Sequence, residues 1–512
     1  MKRRALAAML LLCLCSLTLS GCWQEDLSEQ ESLTPIQSFE EESEAEEEHA
    51  IIPEVFSLPY APGQTLDPIT CTDGMQQTIS SLLYEGLFRL NPQLEPEACL
   101  CESYTTDATS TVYTFTLRAG VTFSDGSALT AADVKSTLDR ARTSERYQQR
   151  LSGISSISAS GNAVTITLRS PNTGLPALLD IPIVKSGTHQ NTAPTGTGPY
   201  LFSDADGTAY LVANQSWWRG GGQPVDRILL TEAADWDTML YRFTTHDVQL
   251  ITADLTGISP INATGNTSYL DANTTILQYL GCNTARAPLD NAAFRKALAS
   301  GFNRTYIVSA FLSGHGTAAQ FPVSPVSSLY PSALEERYSR DSFTAALAAS
   351  GYTSGRTLSL LVNQENSFKV SVAQYLADTF SSAGVPVEVN ALPWEEYTAA
   401  MAAGNFDLYY GEVRLTADWN LTSLLGSGGS LNYGHWSDPQ MDQLLSAYAS
   451  AADRASAMQN LCAYLRNQAP ILPICFKSTS VLMQNDVVEG LTPTMMEPFY
   501  NLTDCTIHLQ SS

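Results

Sequence analysis

Between residues 290 and 476 the hydrophobic pattern keeps switching between a helical period and a strand period, and this alternation is what most limits the fold. Asp290 can cap a helix over 291–300 that ends at Gly301, and 342–350 reads as a helix stopped by Gly351. Residues 370–383 carry an apolar helical face, and Val385–Val389 follows as a strand. A short helix over 395–403 is stopped by Gly404 before the strand 406–410. Asp438-Pro439 opens another helix with proline at its first position, Asp453 caps the next to about Asn467, and 470–476 returns as a strand. Upstream the character is different. Val112–Arg118 alternates with β-rich residues, Ala119-Gly120 turns it into 121–123, and 124–127 turns it again. Thr130, with Asp133 three residues on, forms a capping box for a helix to about Arg142, and 164–168 is another strand. Strands alternating with helices in one region and β-structure dominating another predict an α/β protein of at least two lobes.

Charge adds an address. The 512 residues hold 27 Lys+Arg against 52 Asp+Glu, a formal charge of −25, with 44% apolar residues. That excludes a nucleic-acid binder, and the apolar content excludes a wholly disordered chain. Lys2, Arg3 and Arg4 precede the apolar stretch 5–19, which is short for a spanning helix of about 20 residues and suits an export signal. It ends in Leu19-Ser20-Gly21-Cys22, which resembles a bacterial lipobox in which Cys22 is acylated; an ordinary signal with a chance cysteine is the alternative. Residues 25–48 contain eleven acids and no base, so 22–50 reads as an extended acidic tether. No other stretch is apolar enough to span a bilayer. The chain is expected to be an exported, membrane-anchored lipoprotein facing the extracellular or periplasmic side.

Seven cysteines remain beyond Cys22, an odd number, and they read as buried small apolar residues with one or two disulfides among them. Catalytic patterns are missing from the sequence: there is no Walker loop, no His-Glu-x-x-His, no Gly-x-Ser-x-Gly and no Cys-x-x-Cys. The six histidines are scattered. Gly196-Thr197-Gly198-Pro199-Tyr200 superficially resembles a phosphate loop, but Pro199 removes a needed N–H donor, so a tight turn into a strand 200–202 fits better. The chain reads as a binder rather than an enzyme, with no cofactor and no metal site.

Several segments carry a family resemblance. TLDPIT (65–70), LLYEGLFRLN (82–91) and YTFTLRAGVTFSDGSALTAADV (113–134) come first. GTGPY (196–200), NQSWWRGGGQPVDRI (214–228), LGCNTARAPLDNAAFRKAL (280–298), ALAASGY (346–352), SDPQMDQLL (437–445) and ILPICF (471–476) follow in order. Together they closely resemble the extracellular solute-binding proteins of family 5, the oligopeptide-, dipeptide- and nickel-type receptors of ABC importers. The resemblance implies a periplasmic-binding-protein-like clam-shell (type II, cluster C) with an extra inserted domain. On that pattern domain I comprises 51–70, 191–274 and 478–512, domain II 71–190, and domain III 275–477. The strands crossing between lobes are expected near 276–283 and 473–478. The implied mechanism is hinge closure on a solute, and the implied partners are a permease and an ATPase, with the receptor itself a monomer.

Peptide-binding members hold the ligand's ammonium with an Asp in an ADYNEP-like stretch, and Thr416-Ala417-Asp418-Trp419-Asn420-Leu421 is similar to it at Ala, Asp, the aromatic and Asn. Asp418 is thus the foremost site candidate; a loop-capping role is the alternative. If 409–418 is extended, Glu412, Arg414, Thr416 and Asp418 share one face, so that Arg414 meets a carboxylate while Asp418 meets an amine. A local Glu412–Arg414 ion pair competes with that reading. Trp394, Trp419, Tyr433 and Trp436 are candidate cleft walls or core residues. His435 would serve a nickel-chelate reading, and a structural role is the alternative. Besides peptide import, the same fold could take a nickel chelate or sugar, or act in signalling or as a chaperone. An exported hydrolase lacks a recognisable nucleophile–base pair.

Overall fold

The computed structural model describes residues 51–205, 207–258, 266–353 and 355–510. The expected export signal, Cys22 and the acidic run to residue 50 lie outside them. Residues 49–512 form one compact unit.

Three sheets organise that unit. The largest runs Leu250–Ala253, Ile471–Gln484, Thr267–Cys282, Leu408–Arg414, Leu358–Asn363, Val387–Leu392, and Gly316–Ala318 also pairs with Ile471–Gln484. Leu358–Asn363 lies parallel to both of its neighbours, with the helix Ser367–Ser382 connecting it to Val387–Leu392. Such a crossover puts helices over the sheet, and Leu358–Asn363 is accordingly buried along nearly its whole length. A second sheet, antiparallel, runs Cys101–Thr106, Val112–Leu117, Ala163–Leu168, Ile154–Ser160. In Val112–Leu117 and Ala163–Leu168 every second residue is buried, so one face alone is covered. The third sheet runs Ser57–Tyr60, Arg227–Glu232, Tyr210–Ala213, Tyr200–Ser203.

The apolar residues collect into separate cores along these sheets. One draws on residues 69–183, two on the stretch from 277 to 476 (one of them with Leu94), and two more on the N-terminal strand, residues 184–270 and the C-terminal segment. Two long strands, Thr267–Cys282 and Ile471–Gln484, carry both ends of this division. Residues 267–273 pair with 478–484 and 277–281 pair with 471–476, with a register shift between Asn273 and Leu277. At the shift the Thr274 hydroxyl donates to the Lys477 carbonyl (2.5 Å) and the Thr275 hydroxyl to the Leu415 carbonyl (2.6 Å). Side chains thus satisfy backbone groups where the ladder is interrupted. The irregularity lies slightly N-terminal to the 276–283 expected for the crossing.

Caps explain most helix boundaries. Thr130 and Asp133 form the expected capping box for Ala131–Ala141. Asp438 and Asp453 cap Pro439–Ser450 and Arg454–Gln468. One cap differs from expectation: Asn291, not Asp290, accepts the Ala293 N–H and starts Ala292–Ala299. Another difference is that the strand expected over 121–123 is reduced to a single bridge between Thr122 and Ala128. The Gly196-Thr197-Gly198 turn leads into Tyr200–Ser203 as expected. Its glycines let the backbone press against the end of the helix Gly74–Leu83, where the Gly198 N–H donates to the Leu83 carbonyl at 3.0 Å. All seven cysteines among the described residues are buried and free, so the expected disulfides do not form. Burial raises the thiol pKa of Cys282 and Cys475 to about 12, as befits small apolar core residues.

Candidate functional site

The strand Leu408–Arg414 brings its C-terminal end to a place where several segments of the chain meet. Leu90 and Ala177 from one wall, Ala417 from the other and the side of Met495 from the C-terminal segment share a small apolar cluster there.

Asp418 sits in the turn that follows the strand and is 2% exposed. The extended face expected over 409–418 does not persist: the strand stops at Arg414, the Trp419 N–H donates to the Thr416 carbonyl, and Trp419 takes a φ of 52°. The Asp418 carboxylate accepts from the Thr416 hydroxyl (2.5 Å), the Asn420 N–H (3.2 Å) and, from the facing wall, the Asn172 amide (2.9 Å). Its backbone carbonyl accepts from the Tyr448 hydroxyl (2.8 Å) and from Arg454. A buried carboxylate with three donors is well solvated by protein, so its charge is tolerable here. The Asn172 segment makes two further contacts. The Thr173 N–H donates to the Ala449 carbonyl (2.9 Å), and Gly174 lies so close to Asp418 and Arg454 that a Cβ there would be 2.7 Å from the Asp418 Cβ.

More charge surrounds this turn. Arg150, paired with Asp180, lies near enough to Asp418 to feel its charge. Burial nevertheless pulls the Arg150 guanidinium down to about 10. Along the strand, Glu412 and Arg414 both face solvent, but the Glu412–Arg414 ion pair does not form. Glu412 instead meets Lys369 (3.3 Å) and Lys477 (3.6 Å) and accepts from the Gln278 amide (3.0 Å). Those partners outweigh its burial and hold its carboxyl below the usual range. Lys477, whose side chain is 3% exposed, also meets Asp254 at 2.5 Å. Arg414 donates to the Met495 thioether at 3.3 Å.

The aromatic candidates separate. Trp419 is 1% exposed and packs edge-on against Phe476 at 5.7 Å, and Trp436 is buried in the same core. Tyr433 is half-buried with its ring edge-on to Tyr409. Trp394 is 58% exposed and stacks on Tyr397 at the start of its helix. His435 is exposed at a φ of 56°, and among the described residues no group of three or more His, Cys, Asp or Glu is arranged to hold a metal ion. Asn172, Gly174, Arg150 and Arg454 were not anticipated from sequence. They sit up to about 270 residues from Asp418, with nothing local to mark them. No helix among the described residues is long and apolar enough to cross a membrane.

A depression of about 140 Å³ lined by Met75, Trp236, Met239 and Ile251, among others, holds none of these groups. The charged turn, by contrast, carries Leu415 and Trp419 of the 277–476 core and Ala417 of the small apolar cluster.

Comparison with known proteins bears on this arrangement. The family model described as bacterial extracellular solute-binding proteins, family 5 Middle, matches residues 95–432. The glutathione-binding protein GsiB of Salmonella typhimurium is 27% identical over 417 residues, covering 76% of this chain and 81% of that protein. Among solved structures, the ABC transporter substrate-binding protein CtaP of Listeria monocytogenes is 17% identical with a TM-score of 0.73, covering 89% of this chain and all of that one. The nickel ABC transporter structure from Bacillus halodurans is 20% identical with a TM-score of 0.73, covering 88% and 98%. The fold is therefore the α/β clam-shell of the periplasmic binding proteins.

Proposed function

The chain belongs to the bacterial extracellular solute-binding proteins, family 5, and from that premise we propose that it captures a peptide-like solute between two lobes by hinge closure and delivers it to an ABC permease. The domains are then 51–70 with 191–274 and 478–512, an inserted 71–190, and 275–477. The paired strands 267–282 and 471–484 act as the hinge, since among the described strands they alone carry residues of the cores on both sides of a register shift. Acylated Cys22 tethers the receptor, the acidic run 22–50 is its leash, and permease and ATPase are separate partners. The protein works as a monomer and performs no catalysis.

One observation carries the solute class: a buried carboxylate, Asp418, that accepts a hydrogen bond from an amide of the opposite wall. An N–H donor reaching that carboxylate across the cleft is the geometry a solute ammonium would adopt, and an ammonium would join the amide on that carboxylate with a charge-assisted bond. The relatives' glutathione-binding role supports the same class, because glutathione carries an ammonium and carboxylates on a peptide frame.

The test is a thermal-shift screen followed by calorimetric titration, using glutathione, di- to hexapeptides, amino acids and Ni²⁺–histidine. A bound solute raises the melting temperature by mass action. Free peptides are expected to bind and their N-acetyl forms to bind at least about tenfold more weakly. In Asp418→Ala the free peptide should weaken by a similar factor, and acetylation should then make no further difference. A shift with Ni²⁺–histidine and none with any peptide rejects the reading.

A further inference from the structure

A ring of contacts joins two of the cores beside the long paired strands. On one side, Asp254, Leu255, Thr256 and Gly257 follow the strand Leu250–Ala253, and Ala253 and Leu255 belong to the core of Val248 and Leu482. On the other, Asn366 and Lys369 begin the helix Ser367–Ser382, whose Val372 and Leu376 belong to the core of Leu360 and Leu408.

The 254–257 turn holds its own shape. One Asp254 carboxylate oxygen accepts from the Thr256 N–H (3.0 Å) and hydroxyl (3.1 Å), and the Gly257 N–H donates to the Asp254 carbonyl (3.2 Å). The other oxygen takes the Lys477 ammonium at 2.5 Å. Lys477 lies on the strand Ile471–Gln484 and also meets Glu412 (3.6 Å), which in turn meets Lys369 (3.3 Å). The Lys369 N–H donates to the Asn366 side-chain oxygen (3.0 Å), which caps the helix. From the same side chain, the Asn366 amide donates to the Thr256 carbonyl at 3.0 Å, and the ring returns to the turn.

Charges alternate around this ring, with Lys477 and Lys369 set between and beside Asp254 and Glu412, so each buried charge faces its opposite. Asn366 and Lys477 are each 3% exposed and Thr256 is 1% exposed, so none has surface left to offer a solute. Asn366 caps a helix of one core and hands its N–H to a turn of the other, a bond it makes only while the two sides meet.

We propose that Asn366 and Lys477 are positioning residues for closure: with Asp254 they clasp the 254–257 turn of one lobe to the helix start of the other, and so slow release of the captured solute without contacting it. The inference rests on the reading above that lobes close on a solute. A clasp formed in the closed state alone lowers the rate of opening and leaves encounter with the open state unchanged.

The test uses Asn366→Asp, Asn366→Ser and Asp254→Asn in the full chain. Both Asn366 variants keep an oxygen to cap the helix and lose the amide that reaches Thr256. Asp254→Asn keeps the acceptor of the turn and removes the ion pair. Glutathione, Gly-Gly-Gly and Ni²⁺–histidine are mixed with each protein by stopped flow, and tryptophan fluorescence is followed. Each variant should release a bound probe about tenfold faster, with association changed by less than about twofold. The order of affinity among the probes should stay that of the parent. Asn366→Asp combined with Asp254→Asn should release no faster than the faster single variant, since both break one clasp. The inference is overturned if release from every variant matches the parent, if the order of affinity changes, or if release quickens only where the melting temperature falls. If peptides bind and leave all the proteins at one rate, the clasp falls and the peptide reading stands. If only Ni²⁺–histidine binds and leaves the variants faster, the peptide reading falls and the clasp stands. If no probe binds, small-angle scattering of the solute-free proteins decides: a radius of gyration smaller in the parent than in Asn366→Asp supports the clasp, and an equal one overturns it.

Discussion

Replacing Gly174 by alanine adds one methyl group at the point where the two walls touch. Gly174 has φ −93° and ψ 7°, which alanine adopts without strain, so the effect must come from contacts. The added carbon would be 2.7 Å from the Asp418 Cβ, and the Arg454 guanidinium would be at 2.8 Å. Carbon atoms pack at about 3.5–4.0 Å, so the walls must part by roughly 1 Å. A separation of that size takes the 2.9 Å Asn172–Asp418 hydrogen bond beyond bonding range. A hydrogen bond to an ionised group contributes about 1.5–3 kcal/mol, so the arrangement with walls in contact loses about 2 kcal/mol. If solute is held only when the walls meet, its apparent affinity falls about 30-fold. Calorimetric titration with Gly-Gly-Gly, or glutathione if that binds instead, measures the affinity. Small-angle scattering of the saturated protein measures the radius of gyration, which should exceed that of the unaltered chain. The urea midpoint without solute should barely move. Unchanged affinity with unchanged radius would refute the reasoning, as would a loss of affinity accompanied by unfolding.

Two further outcomes concern the frame that holds the site. Gly281 and Gly411 lie across from Tyr409 and Tyr279 on paired strands, and a Cβ at either glycine would enter the facing tyrosine ring. Gly281→Ala should therefore lower stability to urea by about 1–3 kcal/mol, and a variant as stable as the parent would show that the ring moves aside freely. Burial raises the Glu497 carboxyl from 4.5 to about 7, with Arg89 and Arg219 opposing and Glu85 and Glu97 adding to the rise. The folded state then holds this proton more tightly than the unfolded state, so the contribution to stability falls as pH climbs from about 4.5 to 7 and is level above. Glu497→Gln should match the parent near pH 4.5 and exceed it by up to about 3 kcal/mol above pH 7. A difference that does not change with pH would sink that assignment.

Local chemistry wrote much of the fold into the sequence. Thr130 with Asp133, Asp438 before Pro439, and Asp453 are caps whose hydrogen bonds close within three residues, so they form as read. The strands 112–117 and 163–168 show in their alternation because one face is buried. The order of nine segments then pointed to the family, which the match over residues 95–432 establishes. Competing local choices were harder. Asn291 took the cap that Asp290 could have filled, because the helix starts one residue later than the Asp290 reading placed it.

As candidates, Asp418 and Arg414 were readable from one short stretch of sequence. What surrounds them was not. Asn172 is 246 positions from Asp418 and reaches it through the folding of two cores against each other. The Glu412–Arg414 pair, plausible at a spacing of two, gives way to Lys369 and Lys477, which the sheet and its crossover helix deliver to Glu412. The sequence by itself determined the class, the caps and the alternation, because those rest on neighbours within a few residues. Tertiary structure alone decided which charges pair, because a carboxylate takes the closest cations in space and sequence distance does not set that.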